Sequence, residues 1–118
     1  MINSYKDLTV WQKGITLCEI VYEQTEKFPK SEQYGLTNQI RRSAISIPSN
    51  IAEGQRRGHK PEYIQFLRIA FGSGAELETQ LILANKFKYL EKKQFEKIYD
   101  LLGEIMKMLN VLISRLSS

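Results

Sequence analysis

Apolar residues recur every three or four positions along most of this chain. That spacing places them on one face of an α-helix, whereas a half-buried strand alternates apolar and polar residues. The sequence has no sustained alternation and no Asn-Gly or Asp-Gly hairpin turn. The pattern therefore predicts an all-α protein with helices at about residues 8–28, 33–57, 61–87 and 92–116.

The first predicted helix has recognisable ends. Asp7 is the predicted N-cap, because a short acidic side chain accepts hydrogen bonds from the free N–H groups of a first turn. Pro29 ends the helix, because the residue before a proline avoids the helical conformation. The apolar stripe consists of Trp11, Gly14, Cys18, Val21 and Thr25, widened by Ile15, Leu17 and Tyr22.

The second predicted helix contains a proline. Pro48 has no N–H to donate to the carbonyl of Ala44, which weakens the helix at that turn. Because the apolar stripe continues in phase beyond it, we expect one kinked helix and not two helices. Gly58 follows the last turn and suits the left-handed conformation that ends many helices. The stripe consists of Leu36, Ile40, Ala44, Ile47 and Ile51.

The third predicted helix starts at a proline and carries glycines in its middle. Pro61 fits a first turn, where no N–H is needed, and Glu62 beside it suits the helix dipole. Gly72 and Gly74 each cost about 1 kcal/mol relative to alanine, so a packing benefit is expected to offset them. The stripe consists of Tyr63, Phe66, Ala70, Gly74, Leu77, Leu81 and Ala84.

The fourth predicted helix has two adjacent apolar stripes. In the main stripe, the spacing between successive apolar residues alternates between three and four, which is typical of the seam of a helical bundle. The second leaves two readings open, a wide core face or a subunit interface. The main stripe is Phe95, Ile98, Leu102, Ile105, Leu109, Leu112 and Leu116, and the second is Leu101, Ile105, Met108 and Leu112.

Short connections between long helices make consecutive helices antiparallel. The fold prediction is an up-down-up-down four-helix bundle that forms a single domain over residues 1–118. A hydrophobic content of 42% with 25% charged residues is ordinary for a globular chain of this size.

Few residues in the sequence are suited to catalysis. His59 and Cys18 are single copies, and no Glu precedes a His by three positions as in the di-iron sites of some bundles. We therefore expect no enzyme activity, no metal and no cofactor. The lone cysteine and the lack of an N-terminal apolar run favour a reducing cytoplasm. No apolar stretch is long enough to span a membrane, so no membrane association is expected.

The positive charge is concentrated in the second predicted helix. The chain carries a net charge of +4, and five of its Lys and Arg residues lie in residues 31–60 against two acidic residues. Helical geometry places Arg42 and Arg56 opposite the core and Arg41 and Arg57 on its flanks. With Lys60 in the following turn, these residues are the predicted nucleic-acid-binding set.

A different reading of the same charges stays open. Glu53 precedes Arg56 and Arg57 by three and four positions, so ion pairs within the helix account for part of the cluster. In the alternative function, the chain is an oligomeric scaffold that docks partner proteins, and the arginines only solvate its surface.

Several motifs add a resemblance to a known family. The most specific stretch lies between Gln39 and Gly54. The motifs are Leu8-Thr9-Val10-Trp11-Gln12-Lys13, Tyr34-Gly35-Leu36, Gln39-Ile40-Arg41-Arg42-Ser43-Ala44, Ser46-Ile47-Pro48-Ser49-Asn50-Ile51-Ala52-Glu53-Gly54 and Ala75-Glu76-Leu77-Glu78. Together they resemble the bacterial four-helix-bundle family that includes proteins encoded within intervening sequences of 23S rRNA genes. The same family includes the accessory variability determinant of diversity-generating retroelements. Gly14 departs from the pattern, because the family more often has alanine there.

The resemblance implies a homopentamer, built as a tapered barrel around a central channel, that holds RNA or DNA. Carried onto this chain, the basic positions are Arg41, Arg42, Arg56 and Arg57, with Lys60 as a weaker candidate. We expect RNA in preference to DNA as the partner, and for retroelement members the resemblance also implies a reverse transcriptase. Five copies of a +4 chain would carry a formal +20.

Overall fold

The computed structural model describes residues 4–118 and consists of four long α-helices joined by short turns. Within those residues there is no β-strand, which confirms the all-α prediction. The longest dimension is 43 Å, close to the length of about 40 Å expected for a helix of 27 residues, so the helices lie side by side. The helices are α1 (Thr9–Thr25), α2 (Leu36–Arg57), α3 (Lys60–Lys86) and α4 (Lys92–Ser117), with 3₁₀ turns at Tyr5–Asp7 and Lys30–Glu32.

Contacts between α1 and α2 show that these helices run in opposite directions. Gly14 in the first half of α1 lies against Pro48 in the second half of α2. Thr25 at the end of α1 instead accepts a hydrogen bond from Arg41, near the start of α2. Pro48 is buried in this contact, and α2 is continuous across it, as predicted. The extent of the kink stays a prediction.

The contacts between α2 and α3 follow the same antiparallel pattern. The hydroxyls of Ser46 and Ser73 are 2.7 Å apart at the middle of the pair. Gly54, near the end of α2, lies against Phe66 near the start of α3. The turn between the helices is tight, because Gly58 adopts a left-handed conformation with φ of 66°. Both this C-cap and the position of Pro61 in the first turn of α3 agree with the sequence prediction.

The core runs along the centre of the bundle, where the apolar stripes of the four helices meet. Leu67 and Ile113 are also buried, although neither belonged to a predicted stripe. Ile15 and Tyr22, predicted to widen the α1 stripe, are exposed instead. The largest fully buried side chains are Leu17, Val21, Ile40, Ile47, Ile51, Leu67, Leu77, Leu81, Ile98, Leu102, Ile105 and Leu109.

The start of α1 differs from the prediction. The N-cap is Leu8, which makes no side-chain cap hydrogen bond, so the prediction of Asp7 at this position is wrong. Asp7 ends the preceding 3₁₀ turn, which is capped by the Ser4 side chain. A periodic apolar pattern does not reveal this short turn, because only three residues form it.

The connection between α1 and α2 is longer than the periodicity indicated. α1 ends at Thr25, and the N–H groups of Lys27 and Phe28 bond three residues back, which tightens the chain and returns Phe28 to the core. α2 begins at Leu36, whose N–H donates to the Glu32 carboxylate at 3.1 Å. A side chain from the 3₁₀ turn therefore caps α2.

The second apolar stripe of α4 is partly covered within the chain. Ile105 is buried, while Leu101, Met108 and Leu112 are half-buried and pack against the core. Val111 beside them is 48% exposed. No helix in residues 4–118 is both long and apolar enough to cross a membrane.

Cys18 lies half-buried on α1. Burial, with a smaller contribution from the neighbouring Glu19 carboxylate, raises the pKa of its thiol to about 11. Because thiolate is the reactive form, we expect alkylation by iodoacetamide to rise with a midpoint near 11 in the folded protein. The same titration in denaturant serves as the control and is expected to have an ordinary midpoint. A folded-state midpoint equal to the denatured one would contradict this account of Cys18.

Candidate nucleic-acid interface

Two arginines project freely from the solvent side of α2. Arg42 and Arg56 are both exposed, and neither lies within 4.0 Å of a carboxylate oxygen of the described chain. Fourteen residues separate them, which corresponds to about 21 Å along an ideal helix. Their guanidinium groups keep all N–H donors available to an external anion. We call Arg42 and Arg56 the outer arginine pair.

Arg41, next to Arg42 in sequence, is held against α1. Its Nε donates to the Thr25 hydroxyl at 2.8 Å, and its terminal nitrogen lies 3.2 Å from the Glu26 carboxylate. The guanidinium also stacks over the Tyr22 ring, 4.4 Å from the ring centroid, and donates to the Tyr22 carbonyl at 3.4 Å. That carbonyl belongs to the last turn of α1 and also accepts a hydrogen bond from the Glu26 N–H at 3.2 Å. Arg41 therefore joins the end of α1 to α2.

Arg57, next to Arg56 in sequence, is held between two carboxylates. It pairs with Glu53 at 3.0 Å in the same helix and with Glu62 at 3.3 Å in α3. Its guanidinium lies over the Phe66 ring at 5.2 Å. The hydrogen bond that Arg57 donates to Glu53, followed by the charges of both carboxylates, raises the pKa of Arg57, so it stays charged. Arg57 joins the end of α2 to the start of α3.

These ion pairs reduce the positive charge at the turn between α2 and α3. Three cations lie there, and the two carboxylates bound to Arg57 offset two of their charges. Lys60 is exposed and has no carboxylate within ion-pair distance in residues 4–118, while His59 approaches Glu62 at 3.4 Å. Among the described residues, the cations at this end that have no ion-pair partner are therefore Arg56 and Lys60.

The predicted basic set is thus divided by structure. Arg42, Arg56 and Lys60 are free to meet an external anion, whereas Arg41 and Arg57 connect helices. Sequence reasoning identified Glu53 as a partner for Arg57, because it lies one helical turn away. It missed Glu26 and Glu62, which approach from other helices.

A polar groove between α2 and α3 was not predicted from sequence. It has a volume of about 350 Å³ and contains Arg42 of the outer arginine pair. At its edge lies Tyr34, which is 89% exposed, the highest value among the large hydrophobic side chains described as exposed. The remaining lining residues are Asn38, Gln39, Ser43, Glu76 and Gln80. An aromatic residue beside Gly35 in a polar turn was the available signal in the sequence.

An apolar groove lies between the start of α1 and the end of α4. Its volume is about 410 Å³, and Met108 and Leu112 of the second α4 stripe line it together with Val111, Leu8 and Val10. Lys107 and Arg115 stand at its edges. Elsewhere in residues 4–118, no group of three His, Cys, Asp or Glu side chains is arranged to hold a metal ion.

Comparison with known proteins identifies a family and similar solved structures. A family model described as the 23S rRNA-intervening sequence protein matches residues 6–111. A crystal structure of a protein with unknown function from the S23 ribosomal protein family of Bacteroides thetaiotaomicron is similar, with a TM-score of 0.83 and 26% sequence identity. That similarity covers 89% of this chain and 98% of the other. No curated protein sequence matches this chain.

Proposed function

This chain belongs to the 23S rRNA-intervening sequence protein family, and we propose that it is a non-catalytic, oligomeric protein that binds the backbone of structured RNA. The observation that carries the proposal is the exposure of the outer arginine pair, with no carboxylate of the described chain in ion-pair contact. Membership of a family associated with intervening sequences of 23S rRNA supports ribosomal RNA as the natural partner.

The proposed contacts are electrostatic and independent of base sequence. A guanidinium group forms two parallel hydrogen bonds with phosphate oxygens, and its binding releases counterions from the nucleic acid. Arg42 and Arg56, about 21 Å apart along α2, reach different phosphates of one strand or groove. Lys60 adds a third contact beyond the end of the helix. Arg41 and Arg57 contribute indirectly by holding α2 in place.

Oligomerisation strengthens these contacts, and we propose the homopentameric barrel implied by the family resemblance. Several copies on one RNA act together, because each contact after the first is effectively intramolecular. The apolar groove between α1 and α4 supports a contact between subunits, since exposed apolar surface with a polar edge is typical of interfaces. The same proposal includes a cytoplasmic location. For a chain that acts in a retroelement, it also includes a reverse transcriptase as the partner.

The assembly is tested by its mass. Light scattering coupled to size exclusion is expected to report about five times 13.7 kDa for the wild-type protein. A Val111→Glu variant places a charge in the apolar groove and is expected to lower this mass, because an unpaired charge is costly to bury. Exposed Val111 packs little within the chain, so the variant should remain folded. A monomeric wild-type protein would contradict the oligomer.

A protein scaffold is the second candidate function, and the same apolar groove favours it. In this alternative the groove receives a partner protein, and the arginines have no ligand. Affinity capture with and without nuclease separates the two functions. Partners that survive both nuclease and high salt favour the scaffold, whereas partners lost under either treatment favour RNA binding.

A further inference from the structure

Tyr34 is exposed, but the turn that carries it is firmly held. The Glu32 carboxylate accepts hydrogen bonds from the Leu36 N–H at 3.1 Å and from the Tyr89 hydroxyl at 3.1 Å, which ties the turn to α2 and to the turn before α4. Gly35 leaves room for this carboxylate, since an added Cβ would lie 2.8 Å from its Oε1 atom. The ring is therefore presented to solvent from a fixed backbone.

The groove beside Tyr34 brings together three kinds of chemical group. Asn38 and Arg42 are four residues apart on one face of α2, Tyr34 lies in the turn before α2, and all three line the groove. Its far wall is α3, which contributes Glu76 and Gln80, themselves four residues apart. An aromatic face, a free guanidinium group and side-chain acceptors thus share one groove.

One acceptor in this groove has no partner within the described residues. The Oε1 atom of Gln80 is buried and makes no hydrogen bond. Buried polar atoms in folded proteins are nearly always hydrogen-bonded to protein or water, so the Gln80 Oε1 atom is a candidate acceptor for a donor that enters beside it. Glu76, one turn away, also lines the groove and makes no ion pair with Arg42 within 4.0 Å.

We propose that this groove binds one unpaired nucleotide of the RNA. The base stacks on the Tyr34 ring, a flanking phosphate binds the Arg42 guanidinium group, and the amino group of the base donates to Gln80 and Glu76. Single-stranded RNA is commonly recognised in this way, because unpaired bases expose both a stacking face and a hydrogen-bonding edge. The groove volume of about 350 Å³ falls within the usual range for small-ligand sites.

The arrangement predicts a preference among bases. Adenine, cytosine and guanine carry an exocyclic amino group that donates hydrogen bonds, whereas uracil has none. Two acceptors on α3 therefore favour an amino-bearing base over uracil. The inference rests on the proposed RNA binding and adds to it a site for an unpaired base, which the outer arginine pair alone does not provide.

The experiment compares a hairpin RNA that has an adenosine-rich loop with a fully paired duplex of equal length. Tyr34→Ala is expected to weaken loop binding roughly 5- to 150-fold, the range for loss of one stacked base, and to leave duplex binding unchanged. Tyr34→Phe keeps the stacking face and is expected to bind like wild type. Phe71→Ala is the matched control, because Phe71 is also exposed but lies outside the groove. A uridine loop is expected to bind wild-type protein more weakly than the adenosine loop.

The outcomes separate this inference from the proposed function. Unchanged loop binding by Tyr34→Ala, with binding still weakened by loss of Arg42 and Arg56, overturns the base site alone. Equal loss on loop and duplex also overturns it, because a stacking platform acts only on unpaired bases. A changed assembly mass in Tyr34→Ala makes the ring a subunit contact and overturns the site as well. Absence of all RNA binding by the wild-type protein overturns both proposals.

Discussion

Replacing Arg42 and Arg56 together with alanine is expected to lower the affinity for structured RNA by roughly tenfold or more at low salt, without loss of stability. Both side chains are exposed and make no ion pair with the described residues, so their removal breaks no ion pair within that part of the chain. Each lost phosphate contact also lowers the slope of log affinity against log salt by about one unit. Fluorescence anisotropy across a salt series measures both quantities.

The neighbouring residues supply a matched control with the same change of charge. Arg41→Ala with Arg57→Ala also removes two arginines from α2, but these hold α1 and α3 through Thr25, Glu26 and Glu62. This variant is expected to unfold at a lower denaturant concentration than the wild-type protein. While it is folded, its affinity for RNA is expected to keep most of its dependence on salt. Equal effects of the two double variants on RNA binding would mean that net charge alone governs affinity.

Gly54→Ala is expected to destabilise the fold. Gly54 is buried where α2 meets α3, and an added Cβ would lie 2.7 Å from the Phe66 Cβ and 3.3 Å from the Tyr63 carbonyl oxygen. Neither atom is the end of a flexible side chain, so the helices must separate. Overpacking of this kind costs about 1–3 kcal/mol of stability. We expect this cost to exceed the gain of about 1 kcal/mol that alanine brings through its higher helix propensity. Urea denaturation measures the difference in unfolding free energy.

Two other glycines of the bundle provide controls for Gly54. At exposed Gly72 an added Cβ meets no heavy atom of the described chain within 4 Å, so Gly72→Ala is expected to stabilise by about 1 kcal/mol. At Gly74 the added Cβ would meet the Met106 sulfur, which belongs to a flexible side chain. The stability of Gly74→Ala is therefore expected to lie between those of Gly54→Ala and Gly72→Ala. Gly54→Ala as stable as Gly72→Ala would contradict the close packing of α2 on α3.

The number and type of helices were predictable, because each helix buries a stripe that repeats with the helical period. The α2 stripe is an example, since Ile40, Ala44, Ile47 and Ile51 are all fully buried. The ends of α1 were less predictable. They depend on a short 3₁₀ turn before the helix and on i→i+3 hydrogen bonds after it, and neither leaves a periodic signal.

The candidate site was predictable only in part. Helical geometry alone places Arg42 and Arg56 on the solvent side, and the structure has them exposed. The contacts of Arg41 are with Tyr22, Thr25 and Glu26 at the end of α1. No local pattern in α2 reveals them. The groove beside Tyr34 was missed for the same reason. Its walls come from two helices, so its acceptors and its guanidinium group are far apart in sequence.

The central claim is that exposed cations on α2 bind RNA phosphates, and one titration tests it most directly. The wild-type protein is titrated into a structured RNA at several salt concentrations between about 50 and 200 mM, the range over which phosphate contacts change affinity strongly. The account predicts binding at the lowest salt and a linear fall of log affinity with log salt. No binding at the lowest salt, or an affinity that does not depend on salt, would contradict it.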